Sequence, residues 1–184
     1  MNSSVFLTII FTALASLPIL FIKNSTPIYN NLFEYAAIFL FSLVFLAIFY
    51  FVSSIGNRKI KFIDLVLFIF YFPLFLSVSM GLSLHNAIAV VEGYIGKKSA
   101  FVRTPKFNIV TKNDKWEGNK YLVSSISLLT VIEAILSIYF LVGIFYAFKF
   151  NDFGLLPFHI MLAFGFGYVA YSSVYHSKIS VKKI

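Results

Sequence analysis

Between Phe101 and Lys106 the chain reads Phe-Val-Arg-Thr-Pro-Lys. Two cations, a hydroxyl and an aromatic ring fall within six residues. Arg103 and Lys106 offer charge-assisted hydrogen bonds and Thr104 adds a neutral donor, a set that suits a diphosphate. Pro105 stiffens the turn and disfavours helix at Thr104. The same residues also fit a plainer role, a cytoplasmic loop whose cations only set topology.

The stretch just upstream, Gly81 to Gly96, is polar on one side of a helical wheel. Gly81, His85, Asn86, Ala89, Glu92, Gly93 and Gly96 collect there, and Leu84, Ala87, Ile88, Val90, Val91, Tyr94 and Ile95 collect opposite. That pattern predicts an amphipathic helix at a membrane interface. His85, Asn86 and Glu92 either meet water or a neighbouring domain without chemistry, or line a channel or contact a catalytic domain. Glu133 stands alone inside an apolar run, where an ionisable group needs a partner or a polar cavity. Helical spacing puts Thr130 and Ser137 beside it.

Other chemistry is excluded. There is no Cys, so thiol catalysis and disulfides are out. The three His residues are far apart and lack metal-ligand spacing. Glu34, Asp64, Glu92, Asp114, Glu117, Glu133 and Asp152 are scattered and form no paired-carboxylate site, and there is no Gly-rich phosphate loop. No cofactor is expected in this chain. The formal net charge of +8 sits in short loops and ends, which marks a membrane protein and not a nucleic-acid surface.

The elements that position these residues are membrane-spanning. Of 184 residues, 60% are hydrophobic and 20% aromatic, more apolar surface than a soluble domain of this size can bury. Apolar runs extend over Val5–Ile22, Phe33–Ile55, Phe62–Met80, Leu122–Phe148 and Leu155–Tyr175. The first lacks a preceding Lys or Arg and continues past Ala15, so it reads as a retained helix and not a signal peptide.

Charge placement gives a topology. The loop from Lys97 to Lys120 has seven Lys and Arg against Asp114 and Glu117, a net of +5. If all five runs cross, this loop and the basic turn Gly56–Lys61 lie on opposite sides. If Phe62–Met80 enters the bilayer edge, kinks at Pro73 and returns or lies flat, both share the cytoplasm with the tail. Only Lys23 and Lys149 then face out. The expected fold is therefore an all-α integral membrane protein. It has four transmembrane helices, a kinked interfacial or re-entrant helix and a basic cytoplasmic loop. Residues 1–55 and 122–175 form two transmembrane hairpins. Residues 56–96 are the membrane-embedded or interfacial part, 97–121 the loop, and 176–184 a cytoplasmic tail.

The run F-x-x-T-x-K after an interfacial helix and before two spans resembles the gating loop of cellulose synthases. Phe101, Thr104 and Lys106 match that pattern, while Arg103 replaces its Val. FVRTPKF is closer still to bacterial cellulose-synthase-like transferases of glycosyltransferase family 2 that carry RTPK here. The layout GLSLHNAIAVVEGYIGKK before the loop, Trp116, Lys120 and Tyr121 after it, and the closing LPFHIMLAFGFGYVA run extend the resemblance over essentially the whole chain. It implies a loop that swings over a nucleotide-sugar, with Thr104 and Lys106 on the diphosphate and Phe101 near the mouth. It also implies flanking helices that carry the glycan, and a place in the bacterial inner membrane.

The family's acidic motifs, its catalytic-base Asp and its Gln-x-x-Arg-Trp motif are missing from this sequence. The expectation is a membrane and gating module, split or truncated, inactive alone. A divalent metal would belong to the missing catalytic domain. The partners are the lipid bilayer and, through that domain, nucleotide-sugar and glycan; nucleic acid is not expected. The alternative is a small non-enzymatic polytopic membrane protein, such as a transport or accessory subunit.

Overall fold

The computed structural model describes residues 4–26, 28, 35, 41–56, 58–97 and 126–181. These residues form helices α1 (Ser4–Ser25), α2 (Phe41–Ile55), α3 (Phe62–Gly81), α4 (Ser83–Tyr94), α5 (Leu128–Phe150) and α6 (Leu156–Val181), with no strand among them. The all-helical expectation holds for the described residues.

Among the described residues, three helical runs are long and apolar enough to cross a membrane: Ser4–Ser25, Phe62–Tyr94 and Leu128–Phe150. About 20 apolar residues suffice for a crossing. Helix α6 has the length, with 26 residues. Its second half, however, is diluted by Tyr168, Tyr171, Ser172, Ser173, Tyr175 and His176. Of the expected span Phe33–Ile55, the structure describes Tyr35 and the helix Phe41–Ile55. One of the three qualifying runs, Phe62–Tyr94, contains the stretch expected to stay at the membrane edge.

Helices α5 and α6 form a hairpin with legible ends. The Ser127 side chain accepts from the Thr130 N–H at 3.2 Å and so caps α5. At the other end Asn151 takes the left-handed conformation, φ 52°, which a short polar side chain tolerates. Pro157 falls in the first turn of α6, where its missing N–H costs little.

The core is where α1, α5 and α6 meet. Ala13, Phe140, Leu162, Ala163 and Phe166 are buried together, with Met80 and Leu84 packed against them. The Phe140 and Phe166 rings stack at 5.7 Å. Phe21 of α1 lies edge-on to Tyr146 at 4.5 Å, so α1 and α5 run alongside each other. Helix α3 meets α6 at a point of small residues. A methyl group added at Gly81 would overlap Gly165 backbone, and one added at Gly165 would overlap the Ser77 carbonyl. Backbones approach this closely only where side chains are absent.

Helices α3 and α4 are joined through Leu82, whose φ of −75° and ψ of −9° remain in the right-handed helical region. The Leu82 N–H reaches Val78 O at 3.0 Å and the Asn86 N–H reaches Leu82 O at 3.2 Å. The join is therefore a bend within one helical run of 33 residues, not the reversal that a re-entrant hairpin needs. Pro73 sits inside α3 without breaking it, and Ser77 Oγ bonds back to the Pro73 carbonyl at 2.7 Å.

The two ends of α1 fix which helix ends lie together. Ser4 Oγ is 3.4 Å from the hydroxyl of Tyr94 at the end of α4. At the opposite end, Lys23 Nζ is 2.7 Å from Asp152 in the α5–α6 turn. Helix α4 therefore runs back along α1, ending where α1 begins.

Candidate functional site

The site that the structure assembles is a pair, His85 on α4 and Glu133 on α5. His85 Nδ1 is 2.7 Å from Glu133 Oε1. The Glu133 side chain is wholly buried, while that of His85 is 42% exposed. The approach is short, yet neither Glu133 oxygen has an aligned hydrogen-bond donor among the described residues. Glu133 is the sixth residue of α5, about 7.5 Å along a helix that rises about 1.5 Å per residue. It thus lies near the end of the bundle shared with Tyr94, shallower than its place in an apolar run suggests.

Thr130 and Ser137, expected beside Glu133, bond elsewhere. Thr130 Oγ1 lies 3.1 Å from Ser127 Oγ, and Ser137 Oγ donates to the Ala163 carbonyl at 2.9 Å. The partner of Glu133 comes from α4 instead, a contact between residues far apart in sequence that periodicity does not reveal. The polar side of α4 is not a uniform water face. Gly81 is buried against α6, His85 turns to α5, and Asn86 is half-buried with no side-chain partner among the described residues. Glu92 pairs with Lys97 at 2.5 Å on the exposed end of the helix. An exposed pair of this kind adds little stability.

A second polar pair was not foreseen. His159 of α6 is wholly buried, and its Nε2 lies 3.0 Å from Ser16 Oγ of α1. Ser16 donates its single hydroxyl proton to the Ala13 carbonyl at 2.6 Å. The imidazole must therefore donate from Nε2, leaving the Nδ1 lone pair without a partner among the described residues. A Cβ at Gly143 would stand 2.8 Å from that Nδ1, so the glycine makes room for the ring. The only hint in the sequence is a single His in an otherwise apolar stretch.

The opposite end carries a clamp. Asp152 receives Lys23 at 2.7 Å, Asn24 Nδ2 at 3.1 Å and the Gly154 N–H at 3.3 Å. Partial burial works to raise the Asp152 carboxyl. The Lys23 and Asn24 side chains and the Gly154 N–H outweigh it and hold the group below its ordinary value.

The loop residues singled out for a diphosphate, Phe101, Arg103, Thr104 and Lys106, lie outside the described residues. Among the described residues no group of three or more His, Asp or Glu is placed to hold a metal ion. A groove of about 550 Å³ between α5 and α6 is lined by residues such as Thr130, Ala134, Ser137, Gly167 and Tyr171. Its lining is almost wholly apolar, so it lacks the convergent polar groups that orient a reacting molecule. Neither a protein-family model, nor a curated protein, nor a solved structure matches this chain.

What the described arrangement can do is limited and specific. It can hold a helix in place through a buried acid–base pair at one end, and lock three helices together at the other. The one buried Ser–His contact described, Ser16 with His159, has its hydroxyl proton turned to the Ala13 carbonyl and not to the imidazole.

Proposed function

We propose that the chain is the membrane-embedded module of a family 2 glycosyltransferase that builds polysaccharide or glycolipid from nucleotide-sugars. It anchors a gating loop and does not itself catalyse transfer. The observation that carries this reading is sequential. The F-x-x-T-x-K run begins at Phe101, a few residues past the end of helix α4 at Tyr94, and the α4 residue His85 ties that helix to the bundle. A loop that must swing over a diphosphate needs a fixed root, and α4 supplies one. Arg103, Thr104 and Lys106 supply donors suited to that ligand.

The topology that goes with it has four crossings, α1, Phe62–Tyr94, α5 and α6. The contacts at the two ends of α1 support an odd number of crossings between Thr26 and Tyr94, because Ser4 meets Tyr94 and Lys23 meets Asp152. The bend at Leu82 favours Phe62–Tyr94 as that crossing, with α2 packed on α3 through the Phe51–Phe68 and Tyr50–Phe72 rings. This differs from the sequence-based expectation in that Phe62–Tyr94 replaces Phe33–Ile55 as the second crossing, so Arg58, Lys59 and Lys61 join Lys23 and Lys149 on the outer side. Ten of the 15 Lys and Arg, those of the loop and tail, still face the cytoplasm, so the positive-inside rule is kept.

A second reading is a non-enzymatic membrane protein whose basic loop, of net charge +5 from Lys97 to Lys120, binds anionic lipid. Affinity purification of the full chain from its native membranes separates the two. The gating reading expects co-purification of a polypeptide bearing the acidic motifs and Gln-x-x-Arg-Trp. Recovery of the chain with lipid alone, under conditions that preserve known membrane complexes, would favour the second.

A further inference from the structure

We propose that the His85–Glu133 pair is a one-proton latch that holds α4, and with it the root of the basic loop, against α5. The inference adds a form of regulation to the gating reading and rests on it for its consequence, though not for its mechanism. The geometry is the ground. A wholly buried carboxylate on one helix faces, at 2.7 Å, a half-exposed imidazole on another. With one proton between them the pair is neutral, either as imidazolium and carboxylate or as imidazole and carboxylic acid. Taking a proton from water gives imidazolium beside carboxylic acid, with the net charge on the half-exposed ring, where water reaches it. Giving that single proton up to water leaves the net charge on Glu133, which water does not reach. An uncompensated buried charge is costly, and separation of α4 from α5 admits the water that relieves it. Loss of the proton is therefore the releasing step.

The other titratable groups on the packed helices are engaged elsewhere or distant in the fold. Lys23 of α1 is held by Asp152, and Glu92 of α4 by Lys97. On α5, Tyr139 donates to the Leu14 carbonyl, Lys149 lies over the Tyr146 ring, and Tyr146 packs on Phe21. On α6, His159 bonds Ser16, His176 lies against Tyr175, and Tyr168 and Tyr171 stack on Phe164 and Tyr175; Lys178 is in its last turn. On α3, Asp64 bonds the Lys61 N–H at the helix start and Tyr71 is exposed. Tyr94 meets Ser4.

The chain has no native Cys, so a single reporter is clean. Ala87 is 5% exposed on α4 and becomes reachable only when that helix moves. Ala87→Cys in the full chain, reconstituted in phosphatidylcholine vesicles, is labelled with a maleimide from pH 5 to 10. Each rate is normalised to the detergent-denatured protein, which removes the reactivity of the thiol itself. The expected normalised rate is low near neutral pH and rises about tenfold or more on the alkaline side, the scale set by exposing a buried charge. In Glu133→Gln and in the His85→Gln/Glu133→Gln pair it stays flat, while Glu92→Gln keeps the rise. A flat profile in the otherwise unaltered chain overturns the latch, whatever the variants do. So does a rise that persists in Glu133→Gln. Alkaline release without any role for Lys106 in sugar turnover would leave the latch standing and remove the gating reading; the reverse result would do the opposite.

Discussion

Replacing Gly165 by Ala tests the helix crossing that seats Phe62–Tyr94 in the bundle. The added methyl would overlap the carbonyl of Ser77, and the obstacle is backbone, not the end of a side chain. No rotamer change relieves it, so α3 must move away from α6 and the contacts around Ser77 and Gly81 loosen. Overpacking of this kind costs about 1–3 kcal/mol, offset by less than about 1 kcal/mol from the better helix propensity of Ala. Gly93 is the matched control. It is also helical, but a Cβ there meets nothing within 4 Å, so Gly93→Ala should be neutral or slightly stabilising. Thermal unfolding in detergent, followed by far-ultraviolet circular dichroism, reads both. A melting temperature for Gly165→Ala equal to that of the Gly93→Ala control would refute the close crossing, and with it the placement of α3 in the bundle.

Three further outcomes follow from the same geometry. Asp152 has a folded-state carboxyl held below its unfolded value of about 3.9, so its contribution is present above that value and is lost as pH falls through the folded one; the melting temperature should drop in acid, and less so in Asp152→Asn. Single cysteines at Lys106 and Lys182 should label from the cytoplasmic side and one at Lys59 from the other; Lys59 labelling with Lys106 would restore the interfacial placement of Phe62–Met80. The purified chain should show no nucleotide-sugar turnover, and turnover that survives rigorous purification would mean that its chemistry has been misread.

The helical, apolar character of the chain was legible because composition and run length report it directly. The hairpin turn was legible too, with Pro157 and the turn-forming residues Asn151, Asp152 and Gly154 marking it. The bend at Leu82 was not, since nothing in GLSLHN separates a bend from a reversal. The contact that seats this stretch, Gly81 against Gly165, joins residues 84 positions apart. His85 stood out as part of the polar face of Gly81–Gly96, and Glu133 as an ionisable group inside an apolar run. Their pairing stayed hidden because no local spacing links residues on separate helices. His159 and Ser16 escaped altogether, as each looks like an isolated polar residue until the fold brings α1 and α6 together.

The most direct measurement of the proposed gating role is nucleotide-sugar turnover in membranes that contain the chain together with the catalytic domain that the proposal requires, normalised to protein level. On the proposed gating reading, Lys106→Ala removes one charge-assisted bond to a diphosphate. A loss of about 2–5 kcal/mol is expected, tens-fold to thousands-fold in rate. Lys106→Arg should be much milder. Thr104→Ala forfeits only a neutral bond of about 0.5–1.5 kcal/mol. Replacing Lys97 and Lys98 with Gln should disturb insertion more than turnover. Wild-type turnover in Lys106→Ala, together with its abolition in the Lys97/Lys98 variant, would contradict the gating role and leave the loop as a topology signal.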